Sequence, residues 1–149
     1  MEEISIRAKS LNKREEQIDS RTESERILEE DRNYFWFNLE GEEKLFTENF
    51  SPGRQVYKEK LLNKKGVEYR NWEPFRSKLA ACIMNGLDKF PFKNSSSVLY
   101  LGVSTGTTIS HISDIVGSKG IIFGVEHSSR VARDFLDSCL LYTSDAADE

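Results

Sequence analysis

Two glycines, two threonines and one glutamate are the residues of this 149-residue chain whose types and spacing best suit ligand chemistry. Gly102 and Gly106 form a GxxxG pattern, and Glu126 follows Gly102 by 24 residues. The first glycine lets the chain turn sharply beneath a ligand, and the second keeps the next element clear of side chains. Thr107 or Thr108 could cap a helix there. A carboxylate at residue 126 could accept hydrogen bonds from both hydroxyls of an adenosine ribose.

The elements that would position these residues follow from the hydrophobic pattern. Residues 98–101 (VLYL) and 121–125 (IIFGV) are apolar runs of strand length, typical of buried parallel strands. Between them Ile109 and Ile112 recur at helical spacing, and Gly117 ends the predicted helix. The order strand, glycine turn, helix, strand, acid favours a site for an adenosine-containing cofactor.

The pattern alone leaves the ligand open between three interpretations. A dinucleotide prefers the fuller GxGxxG pattern for its pyrophosphate, so GxxxG shifts the balance toward S-adenosylmethionine, which has no phosphate. An oxidoreductase that binds a nicotinamide dinucleotide is the competing enzyme. The third interpretation is an α/β domain whose glycines only make a tight turn.

Basic residues are concentrated in residues 54–78, which carry eight Lys or Arg and three acids, although the whole chain has a net charge of -4. Tyr57, Tyr69, Trp72 and Phe75 lie among them. This mixture suits RNA, whose phosphates take the positive charge and whose bases stack on rings. The alternative is a solvated basic surface with the aromatic rings turned toward the core.

Membrane insertion, export and metal binding are not expected from the sequence. No apolar run approaches the roughly 18 residues that a membrane span needs, and the first residues lack the basic start and apolar stretch of a signal peptide. Cys82 and Cys139 are far apart, and neither belongs to a CxxC pair. A disulfide framework and a zinc site are therefore not predicted, and a reducing compartment is the default.

We divide the chain into four parts, of which composition and strand pattern predict the first two. Residues 1–30 predict a polar, charged lead-in, and residues 31–70 predict a small β domain. That β domain is too small to be stable alone, so we expect it to pack on the next part of the chain. Residues 71–138 would form the first part of a larger α/β domain, and residues 139–149 a separate tail. The strand-favouring runs of the β domain are residues 34–37, 44–46, 55–57 and 67–70.

A helix is predicted from Pro74 onward, because the missing N–H of proline would be unpaired in a first helical turn anyway. Its apolar positions recur at spacings of three and four, namely Phe75, Leu79, Cys82, Ile83 and Leu87. The pair Asn85-Gly86 would end or cap this helix.

These residues resemble a known family, the fibrillarins. Residues 66–81 (GVEYRNWEPFRSKLAA) are very similar to its signature stretch, and residues 50–57 resemble the small N-terminal β domain of its archaeal members. The runs that resemble its cofactor motif are residues 98–102, 104–108 and 110–117. The resemblance extends from about residue 32 to about residue 138. It implies a Rossmann-like, S-adenosylmethionine-dependent methyltransferase fold of the α/β class, preceded by the small β domain.

The resemblance also implies a function. Fibrillarins are RNA 2′-O-methyltransferases that use S-adenosylmethionine, and a box C/D guide RNA pairs with ribosomal or transfer RNA to mark the target ribose. A Nop-domain scaffold protein recruits the enzyme, beside a kink-turn-binding ribosomal protein. The archaeal-type architecture implies a cytoplasmic location.

Site residues carry over from the family by position. Thr107 and Thr108 would contact the cofactor, Glu126 would hold its ribose, and His127 would lie against the adenine. Lys78 matches the first lysine of the family's Lys-Asp-Lys-His catalytic set. Its ammonium would orient a ribose hydroxyl and favour the ionised form of that oxygen. The reaction needs no metal.

The sequence departs from the family at its end. Only 52 residues remain from Val98 onward, too few for a six- or seven-stranded doubly wound sheet. Nothing matches the remaining Asp, Lys and His of the catalytic set, and residues 139–149 (CLLYTSDAADE) resemble a translated sequencing adapter. We therefore expect a truncated, inactive piece of a methyltransferase. The alternatives are a fragment of an NAD-binding oxidoreductase and a non-catalytic RNA–protein scaffold component.

Overall fold

A computed structural model describes residues 33–139, and within that range it contains six β-strands and three α-helices. The predicted lead-in at residues 1–30 lies outside the described residues, as do residues 140–149 of the predicted tail. The division of the chain into four parts therefore stays a prediction.

The first four strands are β1 (Tyr34–Leu39), β2 (Glu42–Glu48), β3 (Leu61–Lys64) and β4 (Val67–Asn71). They form one antiparallel sheet in the order β1-β2-β4-β3. Tight two-residue loops join β1 to β2 and β3 to β4, which keeps these neighbours in the chain paired in the sheet. The predicted strands at residues 34–37, 44–46 and 67–70 are confirmed.

Apolar side chains pack on both faces of this sheet. Successive side chains of a strand point to opposite sides, so neighbouring residues such as Leu45 and Phe46 belong to different clusters. One face carries a buried cluster that includes Phe37, Phe46 and Leu62. On the other face, Leu45 packs with Trp72 against residues of two helices that come later in the chain. The β unit therefore shares a core with the next part of the chain, as expected.

The predicted strand at residues 55–57 is wrong, since these residues form a loop that bends back on itself. The carboxylate of Glu59 accepts hydrogen bonds from the backbone N–H groups of Val56, at 3.0 and 3.1 Å, and of Tyr57, at 2.8 Å. A side chain thus satisfies the donors that a neighbouring strand would otherwise bind. These local hydrogen bonds outweigh the preference of the segment's residues for a β-strand.

Helix α1 runs over Lys78–Met84, four residues later than the predicted start at Pro74. Ser77 is its N-cap, and its Oγ accepts a hydrogen bond from the backbone N–H of Ala80 at 3.2 Å. Pro74 lies in a preceding turn, so Phe75 falls outside the apolar face and is 98% exposed. The predicted end of the helix is confirmed, because Asn85 is the C-cap.

The second sheet consists of two parallel strands, β5 (Ser97–Leu101) and β6 (Ile121–Val125). Helix α2 (Thr107–Val116) connects them, and helix α3 (Ser129–Cys139) comes after β6. These strands and α2, which ends at Gly117, agree with the prediction. The parallel arrangement brings the carboxyl ends of β5 and β6 to the same edge.

In the described part of the chain, β5 and β6 are buried on one face only, so the expectation of buried strands holds for that face alone. Val98 packs on α2 beneath Ile112 and Val116. The opposite face is open, with Leu99 66% and Phe123 60% exposed. Side chains alternate between the two faces of a strand, and α2 covers only one of them.

A buried ion cluster connects the first sheet to α2. The guanidinium of Arg70, on β4, donates from Nη1 to Glu59 Oε1 at 2.6 Å. Its Nε and Nη2 donate to Asp114 Oδ2, on α2, at 3.0 and 2.8 Å. Burial raises the pKa of Asp114, and the hydrogen bonds from Arg70 act in the opposite direction. Arg70 thus holds carboxylates from two separate segments.

His111, which is fully buried on α2, lies beside this ion cluster. Its Nδ1 lies 2.7 Å from Thr47 Oγ1, and its Nε2 lies 2.7 Å from the hydroxyl of Tyr57. Its ring stacks on Trp72 with centroids 4.9 Å apart. Burial lowers the pKa of His111 well below 6.5, so the imidazole is neutral at pH 7.

Replacing Arg70 by alanine should lower the free energy of unfolding by about 3–5 kcal/mol, because two buried carboxylates would lose their shared cation. Urea unfolding of the 149-residue chain, followed by tryptophan fluorescence, measures this loss. The control is Arg54→Ala, an exposed arginine of the same basic stretch, for which we expect a change within about 0.5 kcal/mol. Equal losses in both variants would contradict the assignment.

Candidate cofactor-binding site

The loop between β5 and α2 is held against the end of β6. The backbone N–H groups of Gly102 and Val103 both donate to the carbonyl of Val125, at 2.8 and 3.2 Å. Val103 is buried, which anchors the loop from below. The loop over residues 102–106 therefore has a fixed position above the carboxyl ends of both parallel strands.

Two glycines allow this loop to turn. Gly102 has φ +78°, and Gly106, the N-cap of α2, has φ +92°, a backbone region that side chains disfavour. A Cβ atom built on Gly102 meets no atom within 4 Å, so the space above it is open to a ligand. The predicted capping of α2 by Thr107 or Thr108 is wrong, because the cap position falls on Gly106, which has no side chain to accept a bond.

Glu126 follows β6 directly, and its carboxylate lies over the loop. Its Oε2 accepts a hydrogen bond from the backbone N–H of Ser104 at 2.8 Å, and its Oε1 accepts one from Ser128 at 2.9 Å. These N–H groups, that of Ser128 first, lower the pKa of Glu126 below its ordinary value of 4.5. A carboxylate held in this way remains ionised at neutral pH and keeps lone pairs on both oxygens.

The other predicted site residues lie around the same loop and the start of α1. Thr107 is buried, and the hydroxyl of Thr108 donates to Ser77 Oγ at 2.9 Å. Lys78 is exposed as the first residue of α1, immediately after Ser77. His127 is exposed beside Glu126. The ligand contacts of these residues stay predictions.

Sequence reasoning missed two residues that take part in this arrangement. Ser104 contributes only its backbone N–H, so its residue type carries no signal. Ser77 did carry one, since serine before an apolar helical pattern is a preferred N-cap. The proline three residues earlier obscured it, because proline also marks a helix start.

Residues 33–139 contain no group of three or more His, Cys, Asp or Glu side chains that could hold a metal ion. Among the helices of that part of the chain, none is long and apolar enough to cross a membrane. Cys82 is a free, exposed cysteine on α1.

Comparison with known proteins identifies the family. A family model described as "Fibrillarin" matches residues 23–141. The chain belongs to the fibrillarin family.

Two curated relatives of this fibrillarin are both named "Fibrillarin-like rRNA/tRNA 2'-O-methyltransferase". The one from Pyrobaculum calidifontis is 55% identical over 98 residues, which cover 66% of this chain and 42% of the relative. The one from Thermococcus onnurineus is 54% identical over 103 residues, which cover 69% of this chain and 46% of the relative.

Solved fibrillarins share the fold. The crystal structure of Aeropyrum pernix fibrillarin, with natively bound S-adenosyl-L-methionine, has a TM-score of 0.71 and 44% identity, covering 72% of this chain and 47% of that one. A fibrillarin/Nop5p complex has a TM-score of 0.58 and 38% identity, covering 73% and 46% of the two chains. The predicted α/β methyltransferase fold is thereby confirmed. This chain spans less than half the length of the two curated relatives.

The comparisons do not favour the two alternative functions, an NAD-binding oxidoreductase fragment and a non-catalytic RNA–protein scaffold component, because the relatives are named as methyltransferases.

The carboxyl group of Glu126 should titrate below 4.5, since hydrogen bonds from Ser128 and Ser104 favour its ionised form. A depressed pKa in the folded state stabilises the fold above the unfolded value and ceases to do so as the pH falls through the folded value. Carbon-13 NMR titration of the glutamate side chains measures the midpoint, and the signal missing from Glu126→Gln identifies the residue. A midpoint at or above 4.5 would contradict the geometry.

Proposed function

We propose that this chain contributes to S-adenosylmethionine-dependent 2′-O-methylation of ribosomal or transfer RNA within a box C/D ribonucleoprotein, and that these 149 residues alone are inactive because, of the family's catalytic set, they match Lys78 but not the Asp, the second Lys or the His. The observation that carries the proposal is the carboxylate of Glu126, which the N–H of Ser104 holds over the loop at residues 102–106. The activity for which the relatives are named and the cofactor bound to the Aeropyrum pernix protein support it. Residues 33–139 would provide the adenosine-binding part of that activity.

The arrangement fits an adenosine. Each oxygen of Glu126 accepts one backbone N–H and retains a lone pair, so the carboxylate can bind two neighbouring hydroxyls at once. A ribose presents such a pair. The open space above Gly102 lets a ligand approach the backbone, which a side chain at this position would block.

Each remaining residue would act through position or charge. S-adenosylmethionine supplies an electrophilic methyl group on its sulfonium. The ammonium of Lys78 would attract the ribose oxygen of the RNA and favour its ionised form, which is the stronger nucleophile. Thr107 and Thr108 would contact the cofactor from the first turn of α2, and His127 would lie against the adenine. Most of the rate would come from holding the two reactants in line.

The proposal includes partners. The fibrillarin/Nop5p complex supports a Nop-domain scaffold as one of them. A box C/D guide RNA and a kink-turn-binding ribosomal protein complete the proposed assembly, and a cytoplasmic location goes with it. Three of the four aromatic residues of the basic stretch are buried or half-buried, namely Tyr57, Tyr69 and Trp72. Such a distribution suits a protein whose RNA affinity comes largely from its partners.

Isothermal titration calorimetry of the 149-residue chain with S-adenosylmethionine tests the proposal. Wild type should bind, and Glu126→Gln should bind at least about tenfold more weakly, because charge-assisted hydrogen bonds to the ribose are lost. The matched control is Glu48→Gln, an exposed glutamate on β2, which should leave the affinity unchanged. Binding of NAD in place of S-adenosylmethionine, or equal affinities for wild type and Glu126→Gln, would contradict the proposal.

A further inference from the structure

Ser77 joins α1, which carries Lys78, to α2, which carries Thr108. Its Oγ accepts hydrogen bonds from the hydroxyl of Thr108, at 2.9 Å, and from the backbone N–H of Ala80, at 3.2 Å. The first bond spans 31 positions of sequence, and the second caps α1. Ser77 is only 2% exposed, so little water competes for these bonds.

Residues with proposed roles lie at both ends of the bond between Ser77 and Thr108. Lys78 comes directly after Ser77 in the chain, and Thr108 lies two residues after Gly106, where the loop becomes α2. The backbone of α1 is fixed at its first turn by the same oxygen that binds Thr108. A shift of α2 relative to α1 would therefore break the bond or disturb the cap.

The bond also decides what Thr108 can offer a ligand. A threonine hydroxyl has one proton and two lone pairs. Because Thr108 donates its proton to Ser77, only its lone pairs remain for another partner. Thr108 can then accept a hydrogen bond from an N–H or O–H group of a cofactor, but it cannot donate one without releasing Ser77.

We propose that Ser77 is a positioning residue for S-adenosylmethionine binding, which it supports by fixing the hydroxyl of Thr108, in the first turn of α2, as a hydrogen-bond acceptor for the ligand. The inference rests on the proposed function, because it assigns a role within the same site. The family resemblance gives Ser77 no role, and Ser77 acts through Thr108 without touching the ligand itself.

A double-mutant cycle on the affinity for S-adenosylmethionine tests this role. Ser77→Gly removes the acceptor, although glycine is itself a tolerated N-cap. It should raise the dissociation constant about three- to tenfold, the range for one hydrogen bond. In the Thr108→Val background the same change should have less than about a twofold effect, because the bond is already absent. Ser77→Thr, which keeps the hydroxyl, should restore an affinity near that of wild type.

The controls separate positioning from folding. Ser118→Gly, in the exposed turn after α2, should leave the affinity unchanged, and thermal unfolding of each variant reports its stability. If Ser77→Gly does not fold, Ser77→Ala replaces it in the cycle. Equal effects of the Ser77 change in both backgrounds, or no effect, would overturn the inference while wild-type binding upholds the proposed function. Absence of binding by wild type would overturn both.

Discussion

The guanidinium of Arg70 donates hydrogen bonds to Glu59, eleven residues earlier, and to Asp114, forty-four residues later. Both side chains of each ion pair are almost fully buried. Removing such charges from water is unfavourable, so a cluster of this kind mainly specifies geometry and penalises any arrangement that leaves a charge unpaired. Here the specified geometry is the position of α2 on the first sheet, and the loop at residues 102–106 leads directly into that helix.

The apolar core reinforces the same arrangement. Leu45 of β2, Ile83 of α1 and Ile115 of α2 meet at Trp72, which comes directly after β4. The ring of Trp72 also stacks on His111, so the apolar and polar interactions are continuous. The small sheet is therefore part of the support for the site, because it holds α1 and α2 beside each other.

The site itself depends on strand direction. Because β5 and β6 run parallel, the loop after β5 and the residue after β6 emerge at the same edge. The N–H of Ser104 then donates to the carboxylate of Glu126. A carboxylate, an open loop and a basic residue on the adjacent helix thus come from three segments that the fold brings to one end.

Local pattern was sufficient to predict most elements and the placement of the glycine loop beside Glu126. In strands β1, β2, β4, β5 and β6, apolar and polar residues alternate or apolar residues form a continuous run. A GxxxG pattern before a helical pattern indicates a tight turn, because glycine adopts backbone conformations that other residues disfavour. Glu126 followed from the same reasoning, since parallel strands end at a common edge. Family resemblance added the proposed roles of Lys78, Thr107, Thr108 and His127, which geometry alone does not assign.

Only the tertiary structure determined which polar residues are buried and which groups they bind. Arg70 belongs to a basic stretch whose composition suits RNA, yet its side chain is buried. The fold brings Glu59 and Asp114 from two other segments to it, and these carboxylates balance its charge. Glu59 prevents a strand at residues 55–57, and Thr108 finds its partner in Ser77. Secondary structure depends on hydrogen bonds and side-chain periodicity within a few residues, and a sequence displays these directly. The pairing of buried charges depends on which segments meet, and only the folded chain determines that.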